Sequence, residues 1–201
     1  MTKVKICGLR RMEDIEAVSL YRPDACGFIL SQPFHRYVPK DQLAQLKAKL
    51  DQRITAFGVF VNEPLSAVEE YVREGLIDAV QLHGEEDDSY IKALRKDFPG
   101  LTVMKAFTVK SEEDLEKAAA SSADLVLLDS GKGTGKTFRW ELLREFSRPY
   151  VLAGGLNPDN VQEALKTLHP YGIDTSSGVE TDGFKDSEKI RLFMERARKE
   201  I

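Results

Sequence analysis

Two kinds of apolar pattern alternate along the chain. Short runs rich in Val, Ile and Leu, as at 25–30, 54–61 and 124–129, give way to longer segments whose apolar positions recur every three or four residues. The first pattern suits a strand buried on both faces, and the second suits an amphipathic helix. Strands are expected at 4–6, 25–30, 54–61, 79–82, 101–106, 124–129, 150–153 and 172–175. Helices are expected at 12–20, 40–50, 65–74, 89–98, 112–120, 140–146, 158–168 and 186–200. Pro39 suits the start of the second helix, and Pro99-Gly100 stops the fourth.

Strand starts recur about every 25 residues, so eight βα units fill the chain. The pattern predicts an α/β protein, a single (β/α)8 TIM barrel domain over 1–201. An open doubly wound sheet would need fewer units and usually a dinucleotide fingerprint, which the chain lacks.

Composition narrows the function. Of 201 residues, 42% are hydrophobic and 31% charged, and no apolar run approaches the roughly 18 residues of a membrane span. The strand-like alternation begins at once, without a signal-peptide pattern, so a cytoplasmic location is expected. The 29 basic and 33 acidic residues are interspersed, which makes nucleic acid a poor partner. Cys7 and Cys26 are expected as free thiols, and His35, His83 and His169 lie too far apart in sequence for a zinc motif. No metal or cofactor is implied.

A TIM barrel builds its active site where the strands end. Alternation places Val4 and Ile6 toward the helices and turns Lys5 and Cys7 inward, with Cys7 at the mouth beside Gly8. By position alone Cys7 reads equally well as a buried structural thiol. Cys26, early in its strand, reads as core. Asp129 closes the sixth strand, where a carboxylate is paired, solvated or functional; the bland alternative is a loop cap. Gly154-Gly155-Leu156-Asn157-Pro158 and Ser176-Ser177-Gly178 follow strands seven and eight, where such barrels often bind phosphate on glycine-freed backbone N–H groups. Tight turns with Asn157 as a helix cap are the plain alternative.

His83 ends the fourth strand as a binding candidate, and Arg36 sits in the loop after the second, able to offer a fork to a carboxylate. The stretch 130–137 ends in Gly135-Lys136-Thr137 like a P-loop, yet Ser130 stands where that motif needs glycine. A glycine-hinged lid fits 131–136 better than nucleotide hydrolysis.

The stretches Lys5-Ile6-Cys7-Gly8, Gly58-Val59-Phe60-Val61-Asn62, Gln81-Leu82-His83-Gly84-Glu85, Leu128-Asp129, Gly133-Thr134-Gly135-Lys136-Thr137-Phe138, Gly154-Gly155-Leu156-Asn157-Pro158 and Asp174-Thr175-Ser176-Ser177-Gly178-Val179-Glu180 run from one end of the chain to the other. Together they resemble the phosphoribosylanthranilate isomerases of tryptophan biosynthesis. The resemblance implies a cofactor-free Amadori rearrangement of a phosphorylated sugar derivative, with Cys7 as general base and Asp129 as general acid. It also implies that Arg36 meets the anthranilate carboxylate, that the two Gly-rich turns hold the phosphate, and that Asp174 lies near the sugar. A related isomerase of histidine biosynthesis would carry aspartate in place of Cys7, and a non-catalytic phosphate sensor would need neither Cys7 nor Asp129.

Overall fold

A computed structural model describes residues 1–129 and 140–199. The segment read as a lid, with its near-P-loop, lies outside the described residues. Eight parallel strands close into one barrel in chain order: β1 (Lys3–Cys7), β2 (Ala25–Ile29), β3 (Thr55–Phe60), β4 (Ala79–Leu82), β5 (Thr102–Thr108), β6 (Leu125–Asp129), β7 (Tyr150–Ala153) and β8 (Gly172–Thr175). The first and last strands complete the ring, with Lys5 level with Asp174. Helices α1 (Met12–Tyr21), α2 (Lys40–Lys49), α3 (Leu65–Arg73), α4 (Asp88–Asp97), α5 (Glu112–Ala120), α6 (Trp140–Leu143), α7 (Val161–Leu168) and α8 (Ser187–Arg198) follow the strands in turn.

The period of two explains the two cores. Outward residues such as Val4, Ile6, Cys26, Phe28 and Leu128 pack with Ile15, Leu43, Val161 and Phe193 of the helices. The inward set is Ala25, Phe57, Ala79, Met104, Ala106, Leu127, Val151 and Ala153. Lys5, Gln81 and Asp174 are also buried. Alternation therefore assigns β1 as expected, and Cys26 joins the outer core.

The end of the barrel where the strands begin is held by a repeated device. Asp24, Asp78 and Asp124 each precede an even-numbered strand and accept the N–H of Val4, Ala56 and Val103 on the preceding odd strand, at 3.0, 2.8 and 2.8 Å. Each carboxylate also pairs with a cation, Lys3, Lys47 or Arg95. Anionic acceptors strengthen these bonds and satisfy backbone donors at strand ends, keeping this face structural.

Three expectations need correction. The sixth helix is a single turn rather than 140–146, because the chain must become extended before Pro149. The seventh begins at Val161 rather than 158, because Asn157 Oδ1 accepts Asp159 N–H at 2.8 Å and closes a local turn first. Residues between β8 and α8 form a 3-10 turn (Ser177–Val179) and a hairpin of β9 (Glu180–Thr181) and β10 (Phe184–Lys185), none of which was expected.

The hairpin turns at Asp182 and Gly183, with φ of +53° and +78°. Two successive positive φ values belong to the two-residue turn that favours Asp-Gly. Phe184 packs under the guanidinium groups of Arg10 and Arg11, 4.5 and 4.3 Å from its ring centre, and Arg10 donates to Gly183 O at 2.9 Å. The start of α1 thus clamps the hairpin beside the mouth. Among the described residues no helix is long and apolar enough to cross a membrane.

Candidate active site at the barrel mouth

Cys7 ends β1 with its side chain inward and 6% exposed. Gly8 follows at φ +79°, and a Cβ there would lie 2.6 Å from Arg36 Cδ and 3.0 Å from Ser176 Oγ. Glycine therefore lets the loop after β2 and the turn after β8 close over the first strand. On β2, a Cβ at Gly27 would lie 2.7 Å from Cys7 Sγ and 3.2 Å from Lys5 Nζ, so the missing side chain makes room for both. Burial pushes the Cys7 thiol up, while the Lys5 and Lys185 ammonium groups pull it back.

Lys5 Nζ donates to Asp174 Oδ1 at 3.0 Å, joining β1 to β8 inside the barrel. Burial would lower the lysine, but Asp174 and Cys7 outweigh it and leave Lys5 at about 12. Asp174, expected near the sugar, has at least one carboxylate oxygen engaged below the mouth.

Arg36 is oriented by the unexpected hairpin. Its Nε–H and Nη2–H donate to Glu180 Oε1 and Oε2 at 2.8 and 2.6 Å. Lys185 Nζ donates to Glu180 Oε1 at 2.5 Å and to Ser176 O at 3.0 Å. Burial would raise the Glu180 carboxyl, but the bonds from Arg36 and Lys185 hold it down at about 2. The Asp182-Gly183 pair, not among the expectations from sequence, is the signal that could have found this hairpin; nothing in the spacing shows that Glu180 and Lys185 would turn inward.

Glu180→Gln is expected to lower stability by about 3 kcal/mol, because Lys185 would remain buried without its counter-charge. Urea unfolding measures it. A carboxyl depressed in the folded state contributes stability above about pH 4.5, lost as pH falls toward 2. The difference between wild type and variant should shrink over that interval; a constant difference would exclude the ionised Glu180 as its source.

Across the mouth, His83 Nε2 lies 3.8 Å from Asp129 Oδ2, and both side chains are partly exposed. Gln81 Nε2 donates to His83 Nδ1 at 2.9 Å, which leaves the ring proton on Nε2, facing the carboxylate. Burial lowers the His83 pKa against the pull of Asp129, so the imidazole is neutral at pH 7. His83 also feels Lys5 and Asp174, and burial with the charge of Asp129 raises Asp174 against the pull of Lys5, so the two sides share one electrostatic site.

The turns after β7 and β8 lie against each other. Gly154 and Gly155 have φ of +96° and +65°, and Thr175 Oγ1 donates to Leu156 O at 2.6 Å. A Cβ at Gly178 would lie 1.9 Å from that oxygen, so this close approach requires glycine. Ser176 links β8 to the 3-10 turn, and Ser177 begins that turn. Among the described residues, the strand ends and the turns after them thus bring Cys7, Arg36, His83, Asp129, Asp174 and the glycine turns after β7 and β8 to one end of the barrel. It combines a thiol, a carboxylate, a neutral imidazole, an oriented guanidinium and paired glycine turns. Among the described residues no His, Cys, Asp or Glu group is arranged to hold a metal ion.

A sequence model of the family described as N-(5'-phosphoribosyl)anthranilate (PRA) isomerase matches residues 4–196. The N-(5'-phosphoribosyl)anthranilate isomerase of Clostridium acetobutylicum is 44% identical over 208 residues, covering 99% of each chain. The crystal structure of phosphoribosyl anthranilate isomerase from Thermotoga maritima superposes with a TM-score of 0.90 at 35% identity, covering 98% of this chain and 99% of that one. A further phosphoribosyl anthranilate isomerase structure, holding reduced 1-(o-carboxyphenylamino)-1-deoxyribulose 5-phosphate, gives 0.87 at 34% identity with the same coverage. A family match over residues 4–196, a relative 44% identical over 99% of its length and a superposable barrel together show that the chain belongs to the phosphoribosylanthranilate isomerase family.

Proposed function

We propose that the chain isomerises N-(5-phosphoribosyl)anthranilate to 1-(2-carboxyphenylamino)-1-deoxyribulose 5-phosphate in tryptophan biosynthesis, with Cys7 as base and Asp129 as acid. The observation that carries this reading is the placement of Cys7 and Asp129 at the ends of β1 and β6, facing one barrel mouth in a chain of this family. The product-like ligand of the related structure is consistent with that reaction.

Protonated Asp129 donates to the furanose ring oxygen, and the C1–O bond breaks to leave a protonated Schiff base at C1. The Cys7 thiolate removes the C2 proton, and the C–H electrons form the C1–C2 double bond as the Schiff-base charge is neutralised. The enolamine gains a proton at C1 and loses the O2 proton, giving the ketose. Protons balance across the cycle, and the chemistry requires no cofactor.

Recognition follows from the same groups. Two Arg36 donors engage Glu180, leaving the Nη1 edge to take the anthranilate carboxylate as a second fork. The turns at Gly154-Gly155 and Ser176-Ser177-Gly178 take the phosphate. His83, with its proton on Nε2, bonds the substrate beside Asp129, and Asp174 supports the sugar side of the site through Lys5. The barrel works as one domain, in the cytoplasm, where a phosphorylated substrate is retained; neither nucleic acid nor a membrane is a partner.

Freshly generated phosphoribosylanthranilate, followed by its anthranilate-type fluorescence, tests the reading. Wild type is expected to deplete it and yield the deoxyribulose phosphate. A folded protein that binds the substrate without converting it would point instead to a sensor.

A further inference from the structure

Cys7 lies where a thiolate is costly. Its side chain is buried, and removing a negative charge from water in such a place carries a penalty that a nearby cation offsets. Lys5 is two residues earlier on the same strand and face, so its side chain rises beneath the thiol. The shared space over Gly27, 2.7 Å from Sγ and 3.2 Å from Nζ at a single point, brings the two groups together.

The lysine side chain is 4% exposed and ends on Asp174 Oδ1 at 3.0 Å. A buried ion pair is poor value as a stability device, since well-packed apolar residues are often as stable or more so. Its position under the thiol gives it a use that packing does not.

The charged and titratable groups around Cys7 come from several elements. Lys5 is on β1, Asp174 on β8, and Lys185 on β10, where Glu180 of β9 compensates it. Arg36 crosses Gly8, and His83 and Asp129 stand opposite. Lys5 is the cation that acts most strongly on the thiol.

We propose that Lys5 and Asp174 are positioning residues that set the strength of the base. Lys5 places positive charge beside Cys7 Sγ and supports the thiolate, while Asp174 anchors the ammonium and offsets part of its charge. The inference rests on Cys7 being the base for its catalytic meaning, but its effect on the thiol is measurable without substrate.

The test is the pH dependence of Cys7 alkylation by iodoacetamide, read by mass spectrometry of the Cys7 peptide, in wild type, Asp174→Asn, Lys5→Met and the double variant. The double variant removes both charges, so neither is left buried alone if Lys5→Met fails to fold. The ionisation midpoint should rise by about one unit in Lys5→Met and in the double variant, reducing alkylation at pH 7 about tenfold. It should fall in Asp174→Asn, where Lys5 acts unopposed. In folded Lys5 variants kcat at pH 7 should drop in proportion and recover at high pH, with KM little changed.

An unmoved midpoint in the folded double variant, or shifts of the same sign for Asp174→Asn and the double variant, would overturn the proposal. Opposite shifts in alkylation with no matching change in turnover would uphold the pair's effect on the thiol and remove Cys7 from the base role.

Discussion

Cys7→Ala is expected to lower kcat by about 10² to 10⁴ while leaving KM within a few-fold of wild type, the range typical of a positioned proton-transfer group. The side chain is small and its neighbours are polar, so the barrel should remain folded; circular dichroism checks this. Cys7→Ser is the informative companion. It keeps the shape but supplies a hydroxyl that does not ionise near neutrality, so it should be nearly as impaired. Because burial raises the wild-type thiol, kcat/KM should climb with pH through neutrality as thiolate accumulates. A serine variant with near-normal turnover, or a flat acidic limb, would remove the thiol from the reaction.

Asp129→Asn carries the second large expectation, again about 10² to 10⁴ in kcat. The amide preserves size beside His83, 3.8 Å away, but it has no acidic proton for the ring oxygen. Ring opening should therefore become the slow step, whereas proton removal limits Cys7→Ala. A substrate deuterated at C2 separates the two. The isotope effect should be large in the cysteine variant and small in the aspartate variant, and equal effects in both would refute the division of labour.

The sequence showed the fold more fully than the site. Eight strand-helix units were legible because each strand is buried on two faces and each helix on one, and both patterns survive in linear order. The Asp182-Gly183 hairpin escaped because its strands are two residues long and carry no period. That Cys7 and Asp129 end their strands was legible from the same pattern, whereas position alone left Cys7 equally a structural thiol and the proposed roles came from the resemblance. Lys5 was placed on the inward face, but its importance was not visible, because its partner Asp174 lies 169 residues away. Arg36 was identified, whereas the Glu180 and Lys185 that orient it were not, since nothing local pairs a loop after β2 with a hairpin after β8.

The seam between β1 and β8 also has a temporal meaning during synthesis. The strand bearing the thiol leaves the ribosome before β8, and the ion-pair partner of its lysine follows 169 residues later, roughly 10 to 30 s at ordinary elongation rates. Until then Lys5 has no Asp174 to meet, and the inward face of β1 awaits the final strand. A nascent chain halted before β8 would carry a cysteine in an unfinished environment, so the thiol gains its native reactivity only with ring closure. A circular permutant opened between other strands would keep the geometry while changing the order in which its parts appear.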